Sequence, residues 1–357
     1  MARAANQVLD EARATMAEVL GAKPGQIVFT GGGTEADNLA VRGVMEARGG
    51  VAVCSAVEHH AVLDPVLHLG GRVAPVGVDG RLDLDALAAC LDESVSLVSI
   101  MLANNETGIV QPLAEAIEVV RRLAPEAVVH TDAVQALCWL DVAELAAGAD
   151  LISVSAHKFG GPKGVGALVV RDRVRLAPLL RGGGQERDRR GGTQNVAGIA
   201  AMAVAASETV AERPLAVPRV AALRDRLADG IRAVVAGVVE SGVAESGVAG
   251  SGVAGSGPAG RDRSHKTANI CHLCFEGIES EALLFLLERE DVMASAASSC
   301  ASGAIDPSHV LMAMGLDRDL AFGSLRLSLG YGTTVADVEA ALEAVPAAVA
   351  RLREKGR

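Results

Sequence analysis

Residues 151–170 read LISVSAHKFGGPKGVGALVV. Two short apolar, β-rich runs, 151–156 and 166–170, enclose a glycine-studded turn that carries His157 and Lys158. The same pattern recurs upstream. AVVHTD (127–132) ends on Asp132, and SLVSIML (96–102) runs into Asn104, Asn105, Glu106, Thr107 and Gly108. VAVCS (51–55) precedes AVEHHAVLD, and QIVFT (26–30) precedes Gly31, Gly32 and Gly33. Helical stretches lie between, one from Glu35 and one, LAEAIEVVRRLA, behind Pro112, where a first helical turn tolerates proline. Strands alternating with helices predict an α/β fold with a mostly parallel central sheet covered on both faces.

With 357 residues the chain is long enough for about two domains. We read a large domain over 1–213 and a smaller α+β domain over 214–357, the character changing near Pro214 and Pro218. The second part opens with a helix over about 219–235. It continues through the strands ANICHLCFEG and SLRLSLG, the helix ESEALLFLLERE and a closing amphipathic helix after Thr334. Residues 241–260 are four five-residue units rich in Gly and Ser, a composition expected of a flexible surface insertion.

Half the residues are hydrophobic but only 2% are aromatic, so the core must be built from Ala, Val and Leu. The formal net charge of -11 argues against a nucleic-acid partner, and the basic cluster between Arg181 and Arg190 is broken by glycines and acids. No run of about 20 apolar residues predicts a membrane helix. The N-terminal stretch has no apolar signal core, which places the protein in the cytoplasm. There the six cysteines, at 54, 90, 138, 271, 274 and 300, read as free thiols.

Functional side chains gather just beyond predicted strand ends: Asn105, Asp132, Gln135 and Lys158. In open α/β sheets that rim is where ligands bind. Lys158 is either a solvated amine or the partner of an aldehyde cofactor in a Schiff base, pyridoxal phosphate being the common one. Its flanks, Ser155 and His157, offer phosphate donors. Such a cofactor also needs a carboxylate against its pyridinium nitrogen, and Asp132 fits; as a helix cap it would have no such role. The strand–glycine–helix turn FTGGGTEADNLA offers N–H groups at Gly33 and Thr34 to an anion. No Lys follows the glycines, so it is not a Walker A loop. His59 could stack a flat ring on a pyridine.

Cys300 sits in the Ser/Ala/Gly loop 294–304, where small residues on both sides make an accessible tether. Cys271 and Cys274 form one C-H-L-C pair with no second pair, so packing is preferred over zinc. Cys54, Cys90 and Cys138 are expected inside regular elements.

Taken together, EHHAVLD, ANNETGIVQP, HTDAVQ, SVSAHKFGGPKG, RGGGQERDRRGGTQN, GIESEALLFLLE, SSCASGAIDPSHVLMAMG and LRLSLG, in that order, resemble the cysteine desulfurases. These belong to the class V aminotransferase group of fold-type I pyridoxal phosphate enzymes. The resemblance implies that Lys158 holds pyridoxal 5'-phosphate, with Asp132 on its ring nitrogen, Gln135 on its phenolic oxygen and His59 on its ring face. Gly33, Thr34, Ser155 and His157 would hold the phosphate, and Thr193 would reach the phosphate of a partner subunit in a homodimer. Asn105 would contact cofactor and substrate. Arg326 would clamp the carboxylate of L-cysteine, and Cys300 would be the nucleophile that carries sulfur as a persulfide, alanine being released. An acceptor protein, an iron–sulfur scaffold or a tRNA-thiolation enzyme, would then take the sulfur.

Against that family the sequence reads as lacking the usual N-terminal segment, and it has the tract 241–260 and AASSC in place of Gly-Ser-Ala-Cys. Two other functions stay open at this point: a selenocysteine lyase or other β-eliminase, and a non-catalytic dimeric scaffold.

Overall fold

The computed structural model describes residues 2–243, 261–296 and 306–355. Its elements run, in chain order, α1 (Ala2–Val19), β1 (Ile27–Thr30), α2 (Gly33–Arg48), β2 (Val51–Ser55), α3 (His60–His68), β3 (Arg72–Ala74), α4 (Leu84–Ala89) and β4 (Val95–Ser99). Next come α5 (Leu113–Leu123), β5 (Val128–Asp132), α6 (Val142–Leu145), β6 (Leu151–Ser155), β7 (Gly166–Val170), α7 (Val196–Val234) and β8 (Val238–Glu240). Then follow β9 (Ile270–Phe275), α8 (Ser280–Glu288), α9 (His309–Ala313), α10 (Arg318–Phe322), β10 (Ser324–Ser328) and α11 (Val335–Lys355).

The residues pack as two compact units. The first comprises Met1–Pro75, Leu82–Asn104 and Gln111–Pro214; the second comprises Val76–Arg81, Asn105–Val110 and Leu215–Arg357. Two short segments of the N-terminal half thus count with the second unit, which a single cut in the sequence has no means of showing.

The first unit holds a seven-stranded sheet of order β1-β7-β6-β5-β4-β2-β3. Its strand pairs are parallel except at β7, which runs antiparallel to both β1 and β6. It follows that β1, β2, β4, β5 and β6 all point the same way and end at one rim. Alternate side chains go to opposite faces. Ile27, Phe29, Val98, Val129, Ile152 and Val154 pack in one cluster with Met16 of α1, Val120 of α5 and Met202 of α7. Val28, Leu97, Val128, Leu151 and Leu168 pack in the other with Leu39 and Val44 of α2 and Val62 of α3. The second unit holds an antiparallel sheet, β10-β9-β8.

Several expectations change. The helix expected over about 219–235 is the end of α7, which begins at Val196 and runs through Pro214 and Pro218. Each proline removes one i→i−4 bond. Side-chain ties hold the helix regardless: Thr209 Oγ1 donates to Phe159 O at 3.2 Å and Arg213 Nη1 to Leu140 O at 2.7 Å. The tract 241–260 was drawn too early, because Ser241 is buried and its hydroxyl lies 2.8 Å from His272 Nδ1; residues 244–260 lie outside the described residues. Cys90 caps the end of α4 and Cys138 lies in the turn after β5, so neither is inside a regular element. Cys54, Cys271 and Cys274 are buried in β2 and β9. Burial pushes the Cys271 thiol up to about 12, which suits a packing role. Among the described residues no group of three or more His, Cys, Asp and Glu could hold a metal.

Candidate active site

The rim of the first unit is built from strand ends. β1 stops at Thr30, and the glycines turn the chain into α2 with Gly32 as its N-cap at φ +152°. A Cβ on Gly33 would lie 2.8 Å from Val134 Cγ2 and 3.3 Å from Ser155 Cβ, so the close approach of this turn to the sheet requires glycine. The turn is braced from its open side. Gly31 N–H donates to Glu35 Oε2 at 2.8 Å and Arg190 Nε to Glu35 Oε1 at 2.8 Å.

The first turn of α2 leaves N–H groups without intrahelical partners, facing an open recess of about 520 Å³. Gly32, Thr34, Ser155, His157 and Lys163 line it, and Ser155 Oγ lies 2.9 Å from His157 Nδ1. Backbone N–H groups, hydroxyls, an imidazole and an ammonium at a helix N-terminus make a donor set for a phosphate dianion. Lys163 and Glu35 were not among the residues singled out by sequence. Both stand beside quoted motifs, but nothing in their spacing gives the side-chain direction.

Lys158 ends a short 3-10 turn, Ala156–Lys158, directly after β6, and its side chain is exposed. Cys138 Sγ donates to the Lys158 carbonyl at 3.3 Å, which ties the following turns together. Asp132 is the last residue of β5 and is buried, 5% exposed, with Oδ1 accepting from Val134 N–H at 2.8 Å. Burial raises its pKa to about 6, against the opposing pull of the Val134 N–H and the Lys158 charge. At neutral pH it is therefore an anion in a dry site, suited to a ring N–H⁺. Gln135 follows in the turn, half-buried.

His59 caps α3: its Nδ1 accepts from Ala61 N–H at 3.0 Å. The proton of the neutral ring then sits on Nε2. Burial first, then the His60 and Lys158 charges, push its pKa down. A neutral flat ring on the exposed side of a strand end suits stacking. His59, Asp132, Ser155 and Lys158 thus stand at or just after the ends of β2, β5 and β6, on one rim.

A row of polar residues beneath the rim was not anticipated. On the α2 face of the sheet, side chains change from apolar to polar toward the strand ends. Leu97 is followed by Ser99, Val128 by His130 and Asp132, and Leu151 by Ser153 and Ser155. His130 lies between two hydroxyls, Ser99 Oγ at 2.8 Å from Nδ1 and Ser153 Oγ at 3.0 Å from Nε2. Asp37 of α2 and Glu58, before His59, are buried in the same region; Glu58 Oε1 accepts from Met101 N–H at 2.7 Å. The period-two alternation in LISVS and VVHTD could have shown this row, since Ser and His recur at every second position of otherwise apolar runs.

In the second unit, Arg326 of β10 is partly buried and its Nη1 donates to the Asn105 carbonyl at 2.7 Å. Its Nε is buried with no hydrogen-bond partner among the described residues. A guanidinium fixed at one nitrogen with a buried N–H to spare suits a carboxylate. Asn105 holds Arg326 by its backbone; the structure gives its side chain no hydrogen bond among the described residues that decides a role. Ser295 pairs with Arg326 through two backbone hydrogen bonds, at 3.1 and 2.7 Å. Cys300 lies outside the described residues, as does most of loop 294–304. Thr193 is exposed. The segment before it turns through three consecutive non-glycine residues of positive φ, Glu186, Arg187 and Asp188. Glu186 anchors that turn, accepting from Arg13 at 2.8 Å through both oxygens and from Phe29 N–H at 3.0 Å.

Relatives match nearly the whole chain. Residues 1–229 and 254–341 match the Aminotransferase class-V family. An IscS-like cysteine desulfurase of Mycobacterium tuberculosis is 42% identical, the match covering 98% of this chain and 88% of the relative. A cysteine desulfurase of Gluconacetobacter diazotrophicus is 40% identical over 97% of this chain and 84% of its own. Among solved structures, a NifS-like protein superposes with a TM-score of 0.85 at 33% identity, covering 98% of this chain and 90% of that one. DndA from Streptomyces lividans gives 0.74 at 34% identity, covering 92% and 89%. A phosphate recess, a lysine after β6 and a buried carboxylate at the end of β5 fit the cofactor on which that family depends. The chain belongs to the class-V aminotransferase family, among its pyridoxal phosphate-dependent cysteine desulfurases.

Proposed function

We propose that this protein removes sulfur from L-cysteine, releases L-alanine and passes the sulfur through a persulfide on Cys300 to an acceptor protein. The observation that carries the reading is the convergence of Lys158, Asp132, His59 and the phosphate turn on one rim of a mostly parallel sheet. Bound there, pyridoxal phosphate supplies an electron-withdrawing ring that stabilises negative charge at the substrate α-carbon. Gly33, Thr34, Ser155, His157 and Lys163 would hold its phosphate, Asp132 would keep the ring nitrogen protonated, Gln135 would meet its phenolic oxygen and His59 would lie on its face.

Lys158 would hold the cofactor through its amine and, with substrate bound, would accept the α-proton. Arg326 takes the substrate carboxylate, and Asn105 contacts substrate and cofactor. The Cys300 thiolate attacks the substrate sulfur: the new S–S bond forms as the carbon–sulfur bond breaks, and the carbon keeps the electron pair and is protonated to alanine. The thiolate is the reactive form. Cys300 stands five positions after Ser295, a reach of at most about 18 Å. The working form is a homodimer in the cytoplasm, in which Thr193 reaches the partner's phosphate. An acceptor for iron–sulfur cluster assembly suits a chain similar to IscS-like proteins.

The deciding experiment maps every cysteine by mass spectrometry after L-cysteine is added to the holoenzyme. Wild type should carry a persulfide on Cys300. Cys300→Ser should keep the cofactor's visible spectrum, lose the persulfide and lose sustained alanine release. A persulfide on another cysteine with Cys300 unmodified, or full turnover by Cys300→Ser, would falsify the sulfur route and favour β-elimination.

A further inference from the structure

Asp37 lies on the inner face of α2, one turn after the phosphate donors Gly33 and Thr34, and is 1% exposed. Its Oδ1 is buried and makes no hydrogen bond among the described residues. The charged and titratable groups that face it come from three directions. His130 and Asp132 stand on β5, with His130 Nε2 3.6 Å from Oδ1. Glu58 comes from the segment after β2, and Ser153 of β6 presents its hydroxyl. The side chain that could have been a counter-ion, His130, is fully buried, and burial pushes its pKa down to about 3. An ionised Asp37 would thus sit in a dry site against two further carboxylates, with a neutral imidazole as its nearest ring.

We propose that Asp37 is a positioning residue for the cofactor's partner carboxylate: it stays a neutral acid beneath the rim, so that the negative charge of this cluster resides on Asp132. The proposal rests on the assignment of Asp132 to the ring nitrogen. The physical case begins with desolvation. A buried carboxylate with no cation takes up a proton rather than pay the cost of ionisation. Burial is the leading cause that raises Asp37, and the Asp132 and Glu58 charges add to it. Asp132 differs in having the Val134 N–H and the Lys158 charge on its side. One proton on Asp37 thus removes a repulsion that would otherwise drive a proton onto Asp132 and leave the ring nitrogen without its anion. The α2 start couples the two tasks, since the turn that aims N–H groups at a phosphate also fixes Asp37 four residues on.

Asparagine is the isostere of a neutral aspartic acid, and this gives the test. Pyridoxal phosphate titrated into apo protein should bind Asp37→Ala about tenfold more weakly than wild type, because Ser153 and His130 lose their neighbour. Asp37→Asn should restore binding to within about threefold of wild type. A second readout uses the apo proteins alone. A carboxyl whose pKa is raised by folding stabilises the fold fully only below its unfolded value, and that stability is lost as pH rises toward the folded value. The melting temperature of Asp37→Asn, minus that of wild type, should therefore climb as pH rises above about 4. A merely structural role would give a difference that does not change with pH. Asp37→Asn binding the cofactor as weakly as Asp37→Ala, or a pH-independent difference in melting temperature, overturns the proposal. If neither variant folds, infrared spectra of apo wild type and apo Glu58→Gln decide: the C=O stretch of a protonated carboxyl should persist at neutral pH in both, and its absence from Glu58→Gln overturns the proposal. Asp132→Asn, titrated in parallel, isolates the premise: undiminished affinity there refutes the Asp132 assignment whatever the Asp37 variants do.

Discussion

Two clusters of buried carboxylates, one in each unit, are treated in opposite ways. In the second unit Glu240, at the end of β8, has a fully buried side chain. Arg263 donates Nε to both of its oxygens, at 2.9 and 3.1 Å, and Nη2 to Oε2 at 2.6 Å. Lys266 Nζ lies 3.6 Å away and donates to Ser241 O at 2.9 Å. Burial alone would raise the Glu240 pKa, but the Arg263 hydrogen bonds and the Lys266 charge outweigh it, so it is lowered. In the first unit Asp37, Glu58 and Asp132 are buried and desolvation wins at each, so all three are raised. The difference separates a structural ion cluster from a site. Where cations are supplied by the fold, the charge is spent inside it. Where they are not, the polarity is left to be completed by a ligand.

The sharpest way to break this contrast is at the ligand side. Lys158→Ala should cut alanine formation by about 10²–10⁴-fold or more and abolish cofactor retention on dialysis. The melting temperature of the apo protein should not fall, because Lys158 is exposed. A large loss of apo stability would make the rim a structural feature after all.

The second unit should answer the reverse way. Glu240→Ala removes the anion beside buried Lys266 and leaves Arg263 with its bond to Asp229, and should remove about 3–5 kcal/mol of stability in urea unfolding. The fraction that remains folded should bind pyridoxal phosphate with unchanged affinity.

Acidity then sharpens the comparison by sign. Asp132 is raised to about 6, so below that pH it takes up a proton and, on the proposed assignment, would cease to serve a ring nitrogen. The affinity advantage of wild type over Asp132→Asn for pyridoxal phosphate should shrink by about tenfold per unit as pH falls below 6. For stability the two clusters oppose one another. A raised acid stabilises the fold below its unfolded pKa and loses that as pH rises through the folded value. Glu240, being lowered, stabilises above its unfolded value of about 4.3 and loses that as pH falls further. Acid unfolding of wild type, with Glu240→Gln losing its acid sensitivity and Asp37→Asn keeping it, is the expected pattern.

The smallest effect is expected at the low-complexity tract. Replacing residues 244–260 by a short Gly-Ser linker should move the melting temperature by no more than about 2 °C, since closure entropy changes slowly with loop length. Ser241→Ala, just before it, should cost about 1 kcal/mol through the lost contact with His272. Equal effects from the two changes would contradict the expectation that a tract of this composition contributes little burial.

The strands VAVCS and GALVV were legible to the residue, because apolar runs bounded by glycine and polar turns leave little choice. The rim residues Lys158, Asp132 and His59 were legible for a related reason: each follows a recognisable strand, and a parallel sheet gathers strand ends. β3, with three residues, was too short to show a period. The continuity of α7 was hidden because Pro214 and Pro218 read locally as breaks, while the bonds that hold the helix, from Thr209 and Arg213, reach far along the chain.

By itself, then, the sequence determined the alternation of strand and helix, the rim and the chemistry that a lysine, a carboxylate and a glycine turn can perform there. These follow from periodicity and residue type, which are local. Only the tertiary structure decided which buried acids are paired and which are not. Glu240 meets Arg263 across 23 residues, while Asp37 meets Asp132 and Glu58 with no cation between them among the described residues. Whether a carboxylate is charged depends on the solvent and charges around it in space, and no local pattern of residues contains that information.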